Sequence, residues 1–215
     1  MGVLFPGYLP ELLSGLWVTV QITGVSFVGA LVFGTLLATC RISPIPPLRV
    51  AASVYVEIFR NVPLVALVVL TVYGLPEIGL NPGFLPGVML ATTAVGSAFA
   101  CETLRTGANA VGAGQIEAAR SIGLTFSGIM REVVVPQAAR SVIGPMVTLF
   151  IGILLSSSMA AVVGQADLTY TASLINNKEA LGLITFAVAA AAYAAISLGA
   201  AGVGAAAEKK FRVLR

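Results

Sequence analysis

Glu11 and Arg41 bracket an unbroken uncharged run, Leu12 to Cys40. A helix needs about 20 residues to cross roughly 30 Å of hydrocarbon, so this run can span a bilayer with length to spare. Four further stretches qualify: about 50–74, which carries Glu57 and Arg60 in its early part, then about 84–100, 141–163 and 180–207. The runs are far too long for barrel strands, and open strands would leave backbone groups unpaired in lipid. The expectation is an all-α polytopic membrane protein with five transmembrane helices.

Composition supports one membrane domain over residues 1–215, with no room for a soluble one. The chain is 58% hydrophobic and 10% charged, against roughly 25% charged in ordinary soluble domains. A net charge of +3 is too small to argue for nucleic acid. The absence of histidine excludes His-based zinc sites and a Ser-His triad, so no metal or catalytic site is expected. None of the three lysines, Lys178, Lys209 and Lys210, follows a glycine, which excludes a Gly-Lys-Ser/Thr phosphate loop. Cys40 and Cys101 form no disulfide framework and read as small packing residues near the reducing side.

Basic residues set the expected orientation. Arg41 and Arg49 lie between spans one and two; Arg105, Arg120, Arg131 and Arg140 lie between three and four; Lys209, Lys210, Arg212 and Arg215 follow span five. The remaining loops offer only Lys178. Positive loops stay inside, placing the N-terminus outside and the C-terminus in the cytoplasm. Met1 to Pro10 has no basic residue, unlike the start of a cleaved signal peptide, so span one is expected to be retained. Pro44, Pro46 and Pro47 stiffen the first inner loop, and Gly199, Gly202 and Gly204 are read as close-packing positions in span five.

The polar stretch Gly114 to Arg140 has its own pattern: Glu117-Ala118-Ala119-Arg120, Gly123 four residues after Ala119, then Val133, Val135 and Pro136. Residues 115–122 are helix formers, Gly123 suits the left-handed position that ends a helix, and Thr125 can cap the next one. About eight residues are too few for an isolated helix in water, so this one needs a surface, either a partner or the membrane interface. Glu117 and Arg120 share a face and can pair with each other or with a partner.

This spacing resembles the EAA loop of ABC importer membrane subunits, the segment that docks on an ATP-driven partner. Residues 55–64 (Tyr-Val-Glu-Ile-Phe-Arg-Asn-Val-Pro-Leu), 102–107 (Glu-Thr-Leu-Arg-Thr-Gly), Pro136-Gln137-Ala138 with Arg140, and Val162, Gly164, Asp167 and Leu168 resemble the polar amino-acid branch. The resemblance implies a type I ABC importer transmembrane domain, with its core at about 13–207 and a cytoplasmic coupling loop at about 106–140. It implies a multi-pass permease in the bacterial plasma membrane that moves a polar amino acid, glutamate- or glutamine-like, by alternating access. Its implied partners are cytoplasmic ATPase subunits, a second permease subunit (identical or related) and an extracytoplasmic solute-binding protein. ATP and Mg are expected on the ATPase, with no cofactor on this chain, which would then be no enzyme. Glu117, Ala118, Ala119, Arg120 and Gly123 would couple to the ATPase. Where many relatives carry a Lys in span four, this chain has Leu154-Leu155-Ser156-Ser157-Ser158, with no cation for a substrate carboxylate; either the second permease subunit provides that contact or recognition rests mainly with the binding protein. A permease for methionine or another small solute is the alternative, and a channel or secondary transporter a remote one. An intramembrane serine protease lacks its histidine, and Lys178 lies outside the spans.

Polar groups inside the spans carry two readings each. Glu57 with Arg60 and Glu102 with Arg105 are spaced i,i+3, either as ion pairs that fix inner packing or as a gate whose pairs exchange. Ser156, Ser157 and Ser158 fan over about 200°, so they either bond carbonyls one turn back or place one hydroxyl on the solute path. Pro136 and Pro145 are expected to start or kink span four. Gln165 and Asp167 are expected outside, in a solvated loop or against a binding protein.

Overall fold

The computed structural model describes residues 4–211, with side chains from residue 7 to residue 210. Among them every regular element is helical: α1 (Leu4–Ile42), α2 (Pro46–Asn61), α3 (Leu64–Glu77), α4 (Phe84–Asn109), α5 (Ala113–Ser121), α6 (126–141), α7 (Ile143–Val163), α8 (Leu168–Glu179) and α9 (Gly182–Phe211). Four stretches are long and apolar enough to cross a membrane alone: Gly7–Ile42, Phe84–Asn109, Ile143–Val163 and Gly182–Lys210. They correspond to expected spans one, three, four and five.

The second span is not the single run expected over 50–74. That stretch folds as a pair, α2 and α3, bent by 102°, the geometry of a broken span or a re-entrant loop. The cause is local. Pro63 pushes its predecessor out of the helical region, and Val62 sits at φ −88°, ψ 132°, extended backbone. Proline also shapes two later turns. Leu70–Gly74 and Met130–Val134 are wide π turns, each ending two residues before a proline, Pro76 and Pro136. A proline ring clashes with the carbonyl four residues back, and the wider turn relieves that clash. Pro136 therefore shapes α6 without starting span four. Pro145 lies in the first turn of α7, where a missing amide costs nothing.

The bundle is built on α1 against α4, and small residues set their distance. A Cβ on Gly34 would stand 2.5 Å from the Ala100 methyl and 3.0 Å from the Ser97 carbonyl oxygen; one on Gly96 would stand 3.0 Å from Ala30. Lipid gives helices no hydrophobic drive to associate, so close backbone approach and interhelical hydrogen bonds do that work. Tyr55 of α2 donates to the Ala94 carbonyl at 3.1 Å, Thr71 of α3 to the Gly87 carbonyl at 2.9 Å, and Tyr73 to the Val163 carbonyl at 3.0 Å. The expected role of Gly199 and Gly202 does not hold. Both face open space, and only Gly204 packs closely, against Val147. α9 touches α7 along one side, leaving Leu198 and Val203 exposed.

At one end of the bundle Tyr8 donates to Glu179 at 2.5 Å, so the start of α1 lies beside the end of α8. Asp167 lies in the adjoining turn and is fully buried, not in the expected solvated loop. It caps α8, accepting from the Tyr170 amide at 2.8 Å and the Tyr193 hydroxyl at 3.2 Å. Thr19 of α1 accepts the Leu168 amide at 3.2 Å, and Gly15 leaves no room for a side chain against the Asp167 carbonyl. Burial pushes the Asp167 carboxyl above the usual carboxylate range, opposed by the Tyr170 and Thr169 backbone amides and the Tyr193 hydroxyl. Gln165, two residues earlier, is half-buried.

Candidate coupling surface and solute path

The loop after α4 folds on its own small core. Val111, Ala119, Ile129 and Val134 are buried together, with Ile116, Leu124, Met130 and Val133 packed around them. α5 closes with a full left-handed cap. The Gly123 amide donates to the Arg120 carbonyl at 2.9 Å, the Leu124 amide to the Ala119 carbonyl at 3.1 Å, and Gly123 has φ +84°. Thr125 then caps α6, accepting the Gly128 amide at 3.3 Å. The elbow expected at Gly123 is thus a defined turn between two capped helices.

The five residues singled out here do not share one face. Glu117, Ala118, Arg120 and Gly123 are exposed, whereas Ala119 is buried in the loop's own core and offers nothing to a partner. Glu117 and Arg120 make no ion pair with each other. Two residues that the sequence reading passed over flank the elbow: Ile122 is 78% exposed and Phe126 75% exposed. Two large apolar side chains on either side of a charged, polar turn were the available signal.

At the same end, Glu102 holds three guanidiniums. Arg41 of α1 contacts Oε1, Arg60 of α2 lies 3.5 Å from the same oxygen, and Arg105 donates from Nε and Nη2 to Oε2 at 3.0 and 2.9 Å. The expected Glu102–Arg105 pair is present, but Glu57 and Arg60 are not partners. The packing face of α2 is Ala52, Tyr55, Val56 and Phe59. At 100° per residue, Arg60 falls on the flank of that face and reaches α4. Glu57 falls further round, exposed and with no ion pair among the described residues. Arg60 also lies over the Phe99 ring, its guanidinium carbon 5.6 Å from the centroid. Cys101 is buried and Cys40 half-buried beside this cluster.

The three serines diverge, as their spacing requires. Ser157 is buried and donates to the Leu154 carbonyl at 2.7 Å; Ser158 donates to the Leu155 carbonyl at 2.7 Å and turns toward α9. Ser156 opens on a cavity of about 570 Å³ between α3, α4 and α7. Leu64, Thr92, Phe99, Thr103 and Thr148 also line it, and none of its lining side chains is charged. Among the described residues no cluster of three or more Cys, Asp or Glu could hold a metal.

Residues 30–213 match the family described as the binding-protein-dependent transport system inner membrane component. The chain belongs to this family. It is a multi-pass permease of the ABC transporter inner-membrane class, as its loop pattern implied. The permease is 35% identical over 212 residues to the glutamate transport system permease protein GluC of Corynebacterium glutamicum, covering 92% of each chain. It is 34% identical over 188 residues to the probable glutamine ABC transporter permease protein GlnP of Bacillus subtilis, covering 87% of this chain and 86% of that one. Among solved structures, one reported as an amino acid ABC transporter with histidines superposes with a TM-score of 0.91 at 31% identity, over 96% of both chains. An inward-facing MetNI methionine transporter superposes with a TM-score of 0.76 at 22% identity, over 94% of this chain and 96% of that one, a likeness of fold alone.

Proposed function

We propose that this permease is one half of the membrane pathway of an ATP-driven importer for a polar amino acid, glutamate or glutamine first. Relatives bearing those names support the choice of solute. The observation that carries the mechanism is the elbow. Two short helices join at a fixed Gly123 turn, rest on their own core, and present Glu117, Arg120, Ile122 and Phe126 outward. A body of that kind transmits a push without absorbing it. A cytoplasmic ATPase, with ATP and Mg bound on it and none on this chain, would grip that rim. The cationic ends of α1, α2 and α4 support a cytoplasmic position for this end. A second permease subunit would complete the pathway, and a solute-binding protein would deliver at the opposite end, where Asp167 and Tyr8 lie. In this scheme the chain itself makes and breaks no bond.

Glu102 links α1, α2 and α4, and its partner Arg105 shares a cavity with Met130 and Val134 of the elbow's core. When the ATPase pushes, these helices tilt, and the Glu102 contacts are where their relative motion is registered. The cavity at Ser156 is the segment of solute path contributed by this subunit. The test is reconstitution of the complete importer in vesicles, measuring ATP-driven uptake of labelled L-glutamine and L-glutamate. Gly123→Asp and Glu117→Lys are expected to insert normally and lose uptake, with ATP hydrolysis no longer stimulated by the loaded binding protein. Normal uptake by both variants would remove the elbow from the mechanism.

A further inference from the structure

The cavity at Ser156 holds one half of what an amino acid needs. Thr92 donates its hydroxyl proton to the Val88 carbonyl at 2.8 Å, Thr103 to the Phe99 carbonyl at 3.0 Å, and Thr148 to the Gly144 carbonyl at 3.3 Å. With their protons committed to their own helices, these oxygens offer lone pairs and act as acceptors. They suit an ammonium or a side-chain amide. They give nothing to a carboxylate; the uncommitted Ser156 hydroxyl is a neutral donor, and no charged side chain lines the space. A free amino acid carries both charges.

We propose that Arg60 receives the α-carboxylate of the transported amino acid, swinging from Glu102 over Phe99 into the inner end of this cavity. The proposal rests on the amino-acid permease reading. Phe99 lines the cavity and Arg60 lies on its ring; Leu64, just beyond the bend that follows Arg60, lines the cavity as well. Of the three guanidiniums at Glu102, Arg60 is held least: it stands at 3.5 Å, with a side chain 39% exposed. Arg105 holds Glu102 at 2.9 Å, and Arg41 lies closer still. Departure of Arg60 therefore leaves Glu102 paired twice over, and no partly buried charge is orphaned, the usual cost of breaking such a pair. Three cations around one carboxylate also leave positive charge in excess, which an arriving carboxylate reduces. Arg60 is the penultimate residue of α2, just before the 102° bend at Val62 and Pro63. The α-carboxylate is common to every amino acid, so the missing span-four cation is replaced by one from the other side of the cavity.

The test uses the purified permease–ATPase complex without binding protein, so that only the permease meets the solute. Equilibrium binding of radiolabelled L-glutamine, L-glutamate and glutamine α-carboxamide is measured for wild type, Arg60→Gln and Arg60→Lys, with melting temperatures recorded alongside. Arg60→Gln is expected to weaken both acids about tenfold or more, the effect of one lost charge-assisted hydrogen bond. Arg60→Lys recovers part of it, and carboxamide binding stays as in wild type. Wild-type affinity for both acids in Arg60→Gln would overturn the assignment, as would an equal loss for acid and carboxamide, the mark of a packing role. A wild-type importer that takes up neither glutamine nor glutamate overturns the amino-acid reading itself. Normal uptake with an insensitive Arg60→Gln overturns only the role of Arg60.

Discussion

Two carboxylates anchor opposite ends of this bundle, and they are held by different physics. Asp167 is held by neutral donors, the Tyr170 amide and the Tyr193 hydroxyl, and it is fully buried. Glu102 is held by three cations from three helices and is only mostly buried. Neutral donors fix one local geometry, because each sits on a backbone or ring that cannot leave. Guanidiniums on long side chains can exchange while the charge stays compensated. The Asp167 end reads as a fixed joint and the Glu102 end as one that can shift.

Removing each carboxylate sharpens that contrast. Glu102→Ala leaves three like charges facing one another, Arg41 mostly buried and Arg60 and Arg105 partly exposed. A loss of about 2–4 kcal/mol is expected, below the scale for stranding a fully buried partner because solvent screens Arg60 and Arg105, read as thermal unfolding in detergent. Asp167→Ala removes a helix cap and one of two partners of the Tyr193 hydroxyl, which keeps Thr169 Oγ1 at 3.1 Å. About 1–3 kcal/mol is expected, and Asp167→Asn should recover most of it, since asparagine caps as well as aspartate. If Glu102→Gln were as mild as Asp167→Asn, the distinction between the two ends would fall.

Acidity gives a smaller test. The folded state raises the Asp167 carboxyl above its ordinary value of 3.8, so the folded protein binds that proton more tightly than the unfolded chain. The contribution of this group to stability is then fully present below the ordinary value and is lost as pH rises through the raised one. Melting from pH 4 to pH 7 should show this slope in the wild type and a flatter one in Asp167→Asn.

The sequence was most legible where a cause acts within one turn of chain. Long uncharged runs located α1, α4, α7 and α9. Gly123 and Thr125 were read as caps, because capping depends on two or three neighbouring amides. The bend at Pro63 was equally local, but a hydropathy window averages across it. What stayed hidden depends on residues far apart in sequence. Asp167 is buried by Thr19 and Tyr193, and its exposure cannot be judged from the loop that carries it. Glu57 and Arg60 have the spacing of a pair, yet the face that α2 turns to α4 sends only one of them inward. Arg41 joins Glu102 across 61 positions, which no periodicity reveals. At the elbow, Ala119 reads as one of two equivalent alanines until the core beneath it is visible.

The layout of the chain ends has a practical corollary. α1 begins beside Glu179, while α9 ends where Glu208 meets Gly144, at the foot of α7. α9 is 30 residues long, about 45 Å at 1.5 Å per residue. A tether along the length of α9 would need about 13 fully stretched residues. Joining the two ends by circular permutation would therefore need a connector far longer than the turns that link the helices of this bundle.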